Sequence, residues 1–406
     1  MSKKNDDFFS EKKPWSLIKD QLLACYLVPY FSKILGTHKP VFYVDGFAGK
    51  GMFDDGNQGS PVIVLEIISQ CLLNTRFQSP TIKSCFIEFN YAEDLKDNIA
   101  KYKDTQIING KYETSIEELL LEKQSQNVFL YIDPYGVKAL QFSVFKKLLS
   151  QKLHTIEVLV NLNTFGFIRE ACSAMNVKFD IAELEEIVEF ENTSNSSKHK
   201  SINDLTAVAG GEYWKGIIEN YKNRSIDGYE AEKQFSEKYC NKLKEHFDYV
   251  LNMPIRLKPG QRPKYRMIHA TNHAQGCVLM NDNICKRWEA LQNMQNNGQI
   301  SLFVEDVENN SVNMAGVQEE ILEVLSTHTE YIDIDIFNAK FVSKYGARFP
   351  SSDICKEFGH LYNAGKVGVK RYPETTKNGK PSKFWTTNNG NKVKVRCLNE
   401  KGDPFY

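Results

Sequence analysis

Three short apolar runs in the first third of the chain each end in a polar group: VFYVDGFAGKG at 41–51, KSCFIEF at 83–89 and NVFLYIDPYG at 127–136. Runs this short and this continuously apolar, bounded by turn residues, have the pattern of strands buried on both faces. Further strands are expected at 106–108 and 155–162, with helical segments at 60–73, 91–102, 115–123 and 143–150 between them. That alternation predicts an α/β fold built on a Rossmann-like parallel sheet. In such a sheet ligands sit beyond the carboxyl ends of the strands, and Asp45, Glu88 and Asp133 fall at three of those ends. Residues 15–35 carry apolar side chains at helical spacing, with Pro29 predicting a break or a kink. Thr114 is a candidate helix cap.

The pattern changes after the fifth strand. Residues 169–245 read as a charged helical insertion with a polar loop at Glu191–Lys200. Strands return at 249–257 and 265–270 as a hairpin on the sheet edge, and 277–295 reads as a helix behind it. Residues 1–296 therefore form a first domain, and 297–314 a linker. Residues 315–390 form a second domain: helices at 317–328, at 335–346 closed by Gly346, and at 351–366 capped by Ser351 or Ser352. A hairpin at 367–387, turning at Asn378-Gly379, completes a winged-helix-like pattern, and 391–406 is a tail. At 406 residues and 41% hydrophobic content, the chain has core enough for two or three domains. Its nine cysteines stand singly, and His38, His154, His269, His273 and His360 show no ligand spacing. No metal centre is expected, and reduced thiols suit a cytoplasmic protein. His273 follows a strand end and is placed to line a cleft. Neither a signal segment nor a membrane span is expected.

The chemistry sits in the three loops. Small residues at Gly46, Ala48, Gly49 and Gly51 let backbone approach a ligand. The loop matches neither G-x-G-x-x-G nor a Gly-Lys-Ser/Thr ending, which turns it away from nicotinamide dinucleotides and ATP. A tight turn without a ligand uses the same residues. The Glu88 carboxylate can accept hydrogen bonds from both hydroxyls of a ribose; a solvated strand-end acid is the plainer alternative. In Asp133-Pro134-Tyr135, a carboxylate and a backbone carbonyl can both accept from an exocyclic amine, and an aromatic ring can stack on a base. That equipment would hold a nucleobase amine against an electrophilic methyl group, although these are also ordinary turn residues.

In the order VDGFAGKG, GSP at 59–61, FIE at 86–88 and IDPYG at 132–136, and in ATNHAQGCVLM at 270–280 with Trp288, the chain resembles the three-Cys-motif partner protein family (TcmP). The likeness spans roughly residues 12–295. That family is similar to class I S-adenosylmethionine-dependent methyltransferases. The resemblance implies a class I methyltransferase-like domain with S-adenosylmethionine as cofactor. Its methionine end would be held by Asp45, Gly46, Phe47, Ala48, Gly49 and Gly51, its ribose by Glu88, with Gly110 near the adenine. Asp133, Pro134 and Tyr135 would face the substrate. A separate protein carrying a three-cysteine motif is implied as partner. Two departures stand out: Lys111 occupies a position where related sequences tend to have an acid, and Asp-Pro-Tyr-Gly lacks the second proline of DPPY, which brings Tyr135 one position early.

From Lys340 to Arg396 there are thirteen Lys or Arg against three acids, although the net charge of the chain is zero. Lys366, Lys370, Arg371, Lys377, Lys380 and Lys383 interleave with Tyr372, Phe384 and Trp385. Cations beside aromatics suit nucleic acid, RNA or DNA; a protein-binding module with a solvated basic face is the alternative. The expected function is methyl transfer from S-adenosylmethionine to a nucleic-acid base amine. Its rival is a catalytically silent cofactor-binding partner or adaptor of the three-cysteine protein. No clustered acids support a nuclease.

Overall fold

The computed structural model describes residues 6–74, 81–134, 136, 140–179, 201–255, 263, 265–295, 316–387 and 390–398. The chain divides into two units, Met1–Asn272 and His273–Tyr406.

The first unit is an α/β domain around a seven-stranded sheet. Its strands are β1 (Val41–Asp45), β2 (Ile82–Glu88), β3 (Thr105–Asn109), β4 (Asn127–Ile132), β5 (Thr155–Leu162), β6 (Tyr249–Ile255) and β7 (Tyr265–Thr271). They lie in the order β3-β2-β1-β4-β5-β7-β6. The first five are parallel, and β7 runs antiparallel between β5 and β6. The expected Rossmann-like sheet and its edge hairpin are thus present. The chain leaves β1 toward β2 on one side and returns with β4 on the other, so the strand order switches between β1 and β4. That switch opens a crevice at the carboxyl ends.

Alternate residues of a strand point to opposite faces, and both faces here are buried. Phe42, Val44, Cys85, Ile87, Leu130, Val158 and Val160 share a core with helices α5 (Tyr112–Leu121), α6 (Phe142–Ser150) and α7 (Thr164–Ala174). Tyr43, Phe86, Phe129 and Tyr131 have the other parity. They meet helix α2 (Pro14–Ile34), whose Tyr26 and Tyr30 rings lie 5.8 and 5.2 Å from that of Phe129. Asp45, Glu88, Asp133 and Asn161 share the parity of these aromatics. All four therefore belong to the α2 face, at the carboxyl ends of four strands.

Helix α2 continues through Pro29 rather than breaking there. Tyr26, Leu27, Tyr30 and Phe31 around it are all buried. Burial at roughly 1.5–3 kcal/mol per large apolar side chain outweighs the ~3 kcal/mol cost of an interior proline. Short helix α1 (Asp6–Phe9) precedes α2; α3 (Ser60–Asn74) and α4 (Ala92–Ile99) follow β1 and β2. Helix α5 starts at Tyr112 with Lys111 at its N-cap. Thr114 is inside it, its hydroxyl donating to Lys111 O at 3.1 Å, and is not the cap. The insertion is helical as expected: α8 (Ile202–Ala209), α9 (Tyr213–Lys222) and α10 (Gly228–Leu243) pack around Trp214, with Phe167 and Phe235 stacked at 3.9 Å. The polar stretch Glu191–Lys200 lies outside the described residues.

The second unit begins with helix α11 (Ala274–Gln295). The expected first-domain boundary at 296 thus moves back to 272, and this helix packs on the second unit's own helices. These are α12 (Val317–Ser326), α13 (Ile334–Tyr345) and α14 (Ser351–Asn363). Asp282 of α11 accepts from Ser351 N at 2.7 Å and from Ser351 Oγ at 2.6 Å. A carboxylate from another helix thus caps α14, and neither Ser351 nor Ser352 does so. Gly346 closes α13 as expected, at φ +86°. Strands β8 (Ile332–Asp333), β9 (Val367–Tyr372) and β10 (Lys392–Cys397) form an antiparallel sheet in the order β8-β10-β9. The turn at Asn378-Gly379 exists, with Thr376 N bonded to Lys380 O at 2.8 Å. The strand that pairs with β9 is 392–397, however, so the ladder extends beyond 387 and takes in part of the expected tail. The expected linker at 297–314 lies outside the described residues. Among the described residues, no helix is long and apolar enough to cross a membrane.

Candidate functional site: a crevice of strand-end acids

Asp45 closes β1 fully buried. Its Oδ1 accepts from Phe47 N at 3.0 Å and its Oδ2 from Ser60 Oγ at 2.7 Å. Burial pushes its carboxyl up to about 7; the two hydrogen bonds pull the other way, while Asp133 and Asp20 add to the rise.

The following loop is fixed by backbone bonds. Gly46 N donates to Tyr131 O at 2.9 Å, Ala48 N to Ile87 O at 3.2 Å, and Gly51 O accepts from Gly59 N at 2.8 Å. The loop thus bridges the ends of β4 and β2. Gly49 has φ +64°, and a Cβ there would lie 3.0 Å from the Phe9 ring. Both the conformation and the close approach call for glycine. Phe47 holds its place through its backbone, and its ring packs 5.3 Å from that of buried Tyr112.

Glu88 is 6% exposed and accepts three backbone bonds: Gly49 N at 2.8 Å on Oε2, and Asn90 N and Tyr91 N at 2.8 and 3.2 Å on Oε1. It is therefore no loosely solvated acid, since it ties the first loop to the second. With two acceptor positions per oxygen, Oε2 keeps one open. Gly110 N bonds Glu88 O at 3.1 Å, which brings Gly110 to the same strand end. Lys111 lies 5.5 Å from the ring of Phe89, which is 48% exposed.

Asp133 is the hub. Lys19 Nζ of α2 lies 2.6 Å from its Oδ2, Asn161 Nδ2 of β5 donates to its Oδ1 at 2.7 Å, and the Tyr131 hydroxyl reaches Oδ2 at 3.3 Å. Tyr131 pairs with Leu159, so two residues on, the same register sets Asp133 opposite Asn161. Lys19 also lies 5.3 Å from the Tyr265 ring. Burial works against the Lys19 charge, but Asp133 and Tyr265 outweigh it and its pKa is raised, so Lys19 is a cation at neutral pH. A second pair joins Asp20, the residue after Lys19, to Lys12, which lies just before α2. Burial raises the Asp20 carboxyl, against the pull of Lys12.

Asp45, the loop through Gly51, Glu88, Gly110, Asp133 and Pro134 thus gather at one end of one sheet, with Tyr135 outside the described residues. His273 falls in the second unit. Sequence reasoning missed Lys19, Asn161, Asp20 and Phe9. Lys19 and Asp20 interrupt an otherwise apolar helix face, and Asn161 interrupts an apolar strand. A polar residue in a run that should be buried was the available signal.

The six expected nucleic-acid contacts divide. Lys366, Lys370, Lys377, Lys380 and Lys383 are exposed. Arg371 is not free: its Nε donates to Phe384 O at 2.8 Å, and its guanidinium lies 4.5 Å from the Trp385 ring. Trp385 in turn packs 6.0 Å from Phe358. Arg371, Phe384 and Trp385 therefore fasten the turn segment to α14. Comparison with protein-family models and with curated protein sequences finds no match to this chain.

Proposed function

We propose that the first unit is a class I methyltransferase-like domain that uses S-adenosylmethionine to methylate a nucleic-acid base amine, in the manner of the three-Cys-motif partner family it resembles. We read the second unit as a winged-helix domain that binds the nucleic acid. From α12 on, its helix-strand-helix-helix-strand-strand order supports that reading. The carrying observation for the first unit is the carboxylate set Asp45, Glu88 and Asp133, on one face beside the switch in strand order.

The residues fit the cofactor. Buried Asp45, poised near neutrality, suits a ligand ammonium, and the open acceptor position of Glu88 Oε2 suits a ribose hydroxyl. Exposed Phe89, beside Glu88, suits an adenine face. The bound cofactor would supply an electrophilic methyl group, and the chain's part is positioning. Asp133, held and oriented by Lys19 and Asn161, accepts a hydrogen bond from the substrate amine together with the Pro134 carbonyl, and so directs the nitrogen lone pair.

One observation favours the silent-partner reading: both oxygens of Asp133 already accept bonds from Lys19, Asn161 and Tyr131. A calorimetric titration with S-adenosylmethionine, followed by labelled-methyl transfer to total RNA and DNA, tests both. Binding with transfer that Asp133→Ala abolishes supports the enzyme. Binding without transfer, even with a three-cysteine-motif protein added, leaves the adaptor. No binding ends both.

A further inference from the structure

The small sheet of the second unit contains an electrostatic conflict. Residues directly opposite in an antiparallel ladder share a face. Lys370 is opposite Lys394, Tyr372 opposite Lys392, and Gly368 opposite Arg396. The other face carries Val367, Val393, Val395 and Cys397, all buried. The outward face therefore sets Lys370, Lys392, Lys394 and Arg396 together. The acid in these ladders is Asp333, opposite Lys394, and its Oδ1 already accepts from Asp335 N at 2.9 Å. Like charges facing each other across a ladder destabilise a sheet, so the Lys370–Lys394 pair costs the sheet stability.

Tyr331 lies across the same face. Lys370 Nζ and the Arg396 guanidinium carbon are 4.4 and 4.5 Å from its ring centre. A Cβ at Gly368 would come within 2.9 Å of its hydroxyl, so glycine leaves the ring its place. Arg396 Nε is enclosed with no hydrogen-bond partner. A groove of about 470 Å³ adjoins, lined by Tyr331, His328, Glu330, Lys340 and Lys394. The exposed side of α14 offers less: Lys356 is paired with Asp353 at 2.6 Å, and His360 lies 3.3 Å from Glu357.

We propose that this outward sheet face, centred on Lys370, Lys392, Lys394 and Arg396, is where the second unit holds the phosphodiester backbone of a nucleic acid, rather than on α14. The inference rests on the nucleic-acid reading above and adds three cations, Lys392, Lys394 and Arg396, while removing Arg371 and the turn lysines Lys377, Lys380 and Lys383. A polyanion resolves the conflict by neutralising cations that the sheet leaves facing one another.

The test uses the full chain and two labelled probes, an oligothymidylate and a mixed-sequence duplex, followed by fluorescence anisotropy across a salt series. Lys370→Gln/Lys392→Gln/Lys394→Gln should lose about tenfold or more in affinity. The log–log salt slope should fall by about 0.9 per contact on duplex, or about 0.7 on single strands. The turn variant Lys377→Gln/Lys380→Gln/Lys383→Gln should bind much as the unaltered chain does. Loss confined to the turn variant overturns this placement and leaves the nucleic-acid reading standing. If the unaltered chain binds neither probe, both fall. Lys394→Gln alone should unfold at the same or a higher temperature, because it relieves the Lys370 repulsion. A lower temperature would mean that Asp333 holds Lys394 as a structural ion pair, which overturns the conflict.

Discussion

Lys19 Nζ lies 2.6 Å from Asp133 Oδ2, joining residues 114 positions apart in the chain. Their side chains are 10% and 24% exposed, so the pair is shielded without being sealed. Removing Lys19 alone leaves a half-buried carboxylate without its cation. Lys19→Met should therefore cost about 1.5–3 kcal/mol in urea unfolding. Combined with Asp133→Asn, much of that loss should return, because the stranded charge is gone. Additive losses in the double-mutant cycle would show that the two residues are not coupled.

Asp45 sets a pH dependence whose sign is fixed by its raised carboxyl, about 7 in the fold against an ordinary 3.8. Between those values the folded state keeps a proton that the unfolded state releases. Its contribution to stability is thus greatest at acid pH and is lost as pH rises toward about 7. Asp45→Asn should flatten that part of the profile, as followed by urea midpoints across the window. If the crevice takes a ligand ammonium, S-adenosylhomocysteine binding near pH 6 should release a proton, detected as a dependence of calorimetric heat on buffer ionisation enthalpy. Buffer-independent heat would count against the contact.

On the S-adenosylmethionine reading proposed above, Glu88→Ala should weaken that binding, and it should also destabilise the protein without any ligand. Three backbone N–H groups lose their acceptor, and unsatisfied buried donors cost about 1–3 kcal/mol each before solvent relieves them. Thermal unfolding without ligand checks the second effect. A variant that loses binding at unchanged stability would mean that the three backbone bonds contribute little to folding.

Truncation locates the domain boundary. A chain ending at Asn272 should unfold cooperatively, because the first unit closes there. One ending near 314 keeps α11 but strips it of α13 and α14, exposing the buried side chains Cys277, Met280 and Ile284. That longer piece should bind more of a hydrophobic dye such as ANS than the shorter one. Equal dye binding would mean that α11 has its cover in the first unit.

Apolar runs and their punctuation determined the strands of the large sheet to within about two residues, and with them the acids at their ends, because both are local properties of the chain. The glycine loop after β1 and the cap at Gly346 were legible for the same reason. The sequence left undetermined which strand lies beside which, and with what register. Register is what sets Asn161 opposite Asp133. The packing of α2 on the sheet is what brings Lys19 there and carries the helix past Pro29. The charge of the second unit was countable from the sequence, but its distribution was not. Pairing of 392–397 with 367–372 puts Lys394 against Lys370, while the fold turns Arg371 inward to Trp385. Composition sums charges along a chain, whereas contact between distant segments decides which of them face one another, and that sum over long-range packing exists only in the tertiary structure.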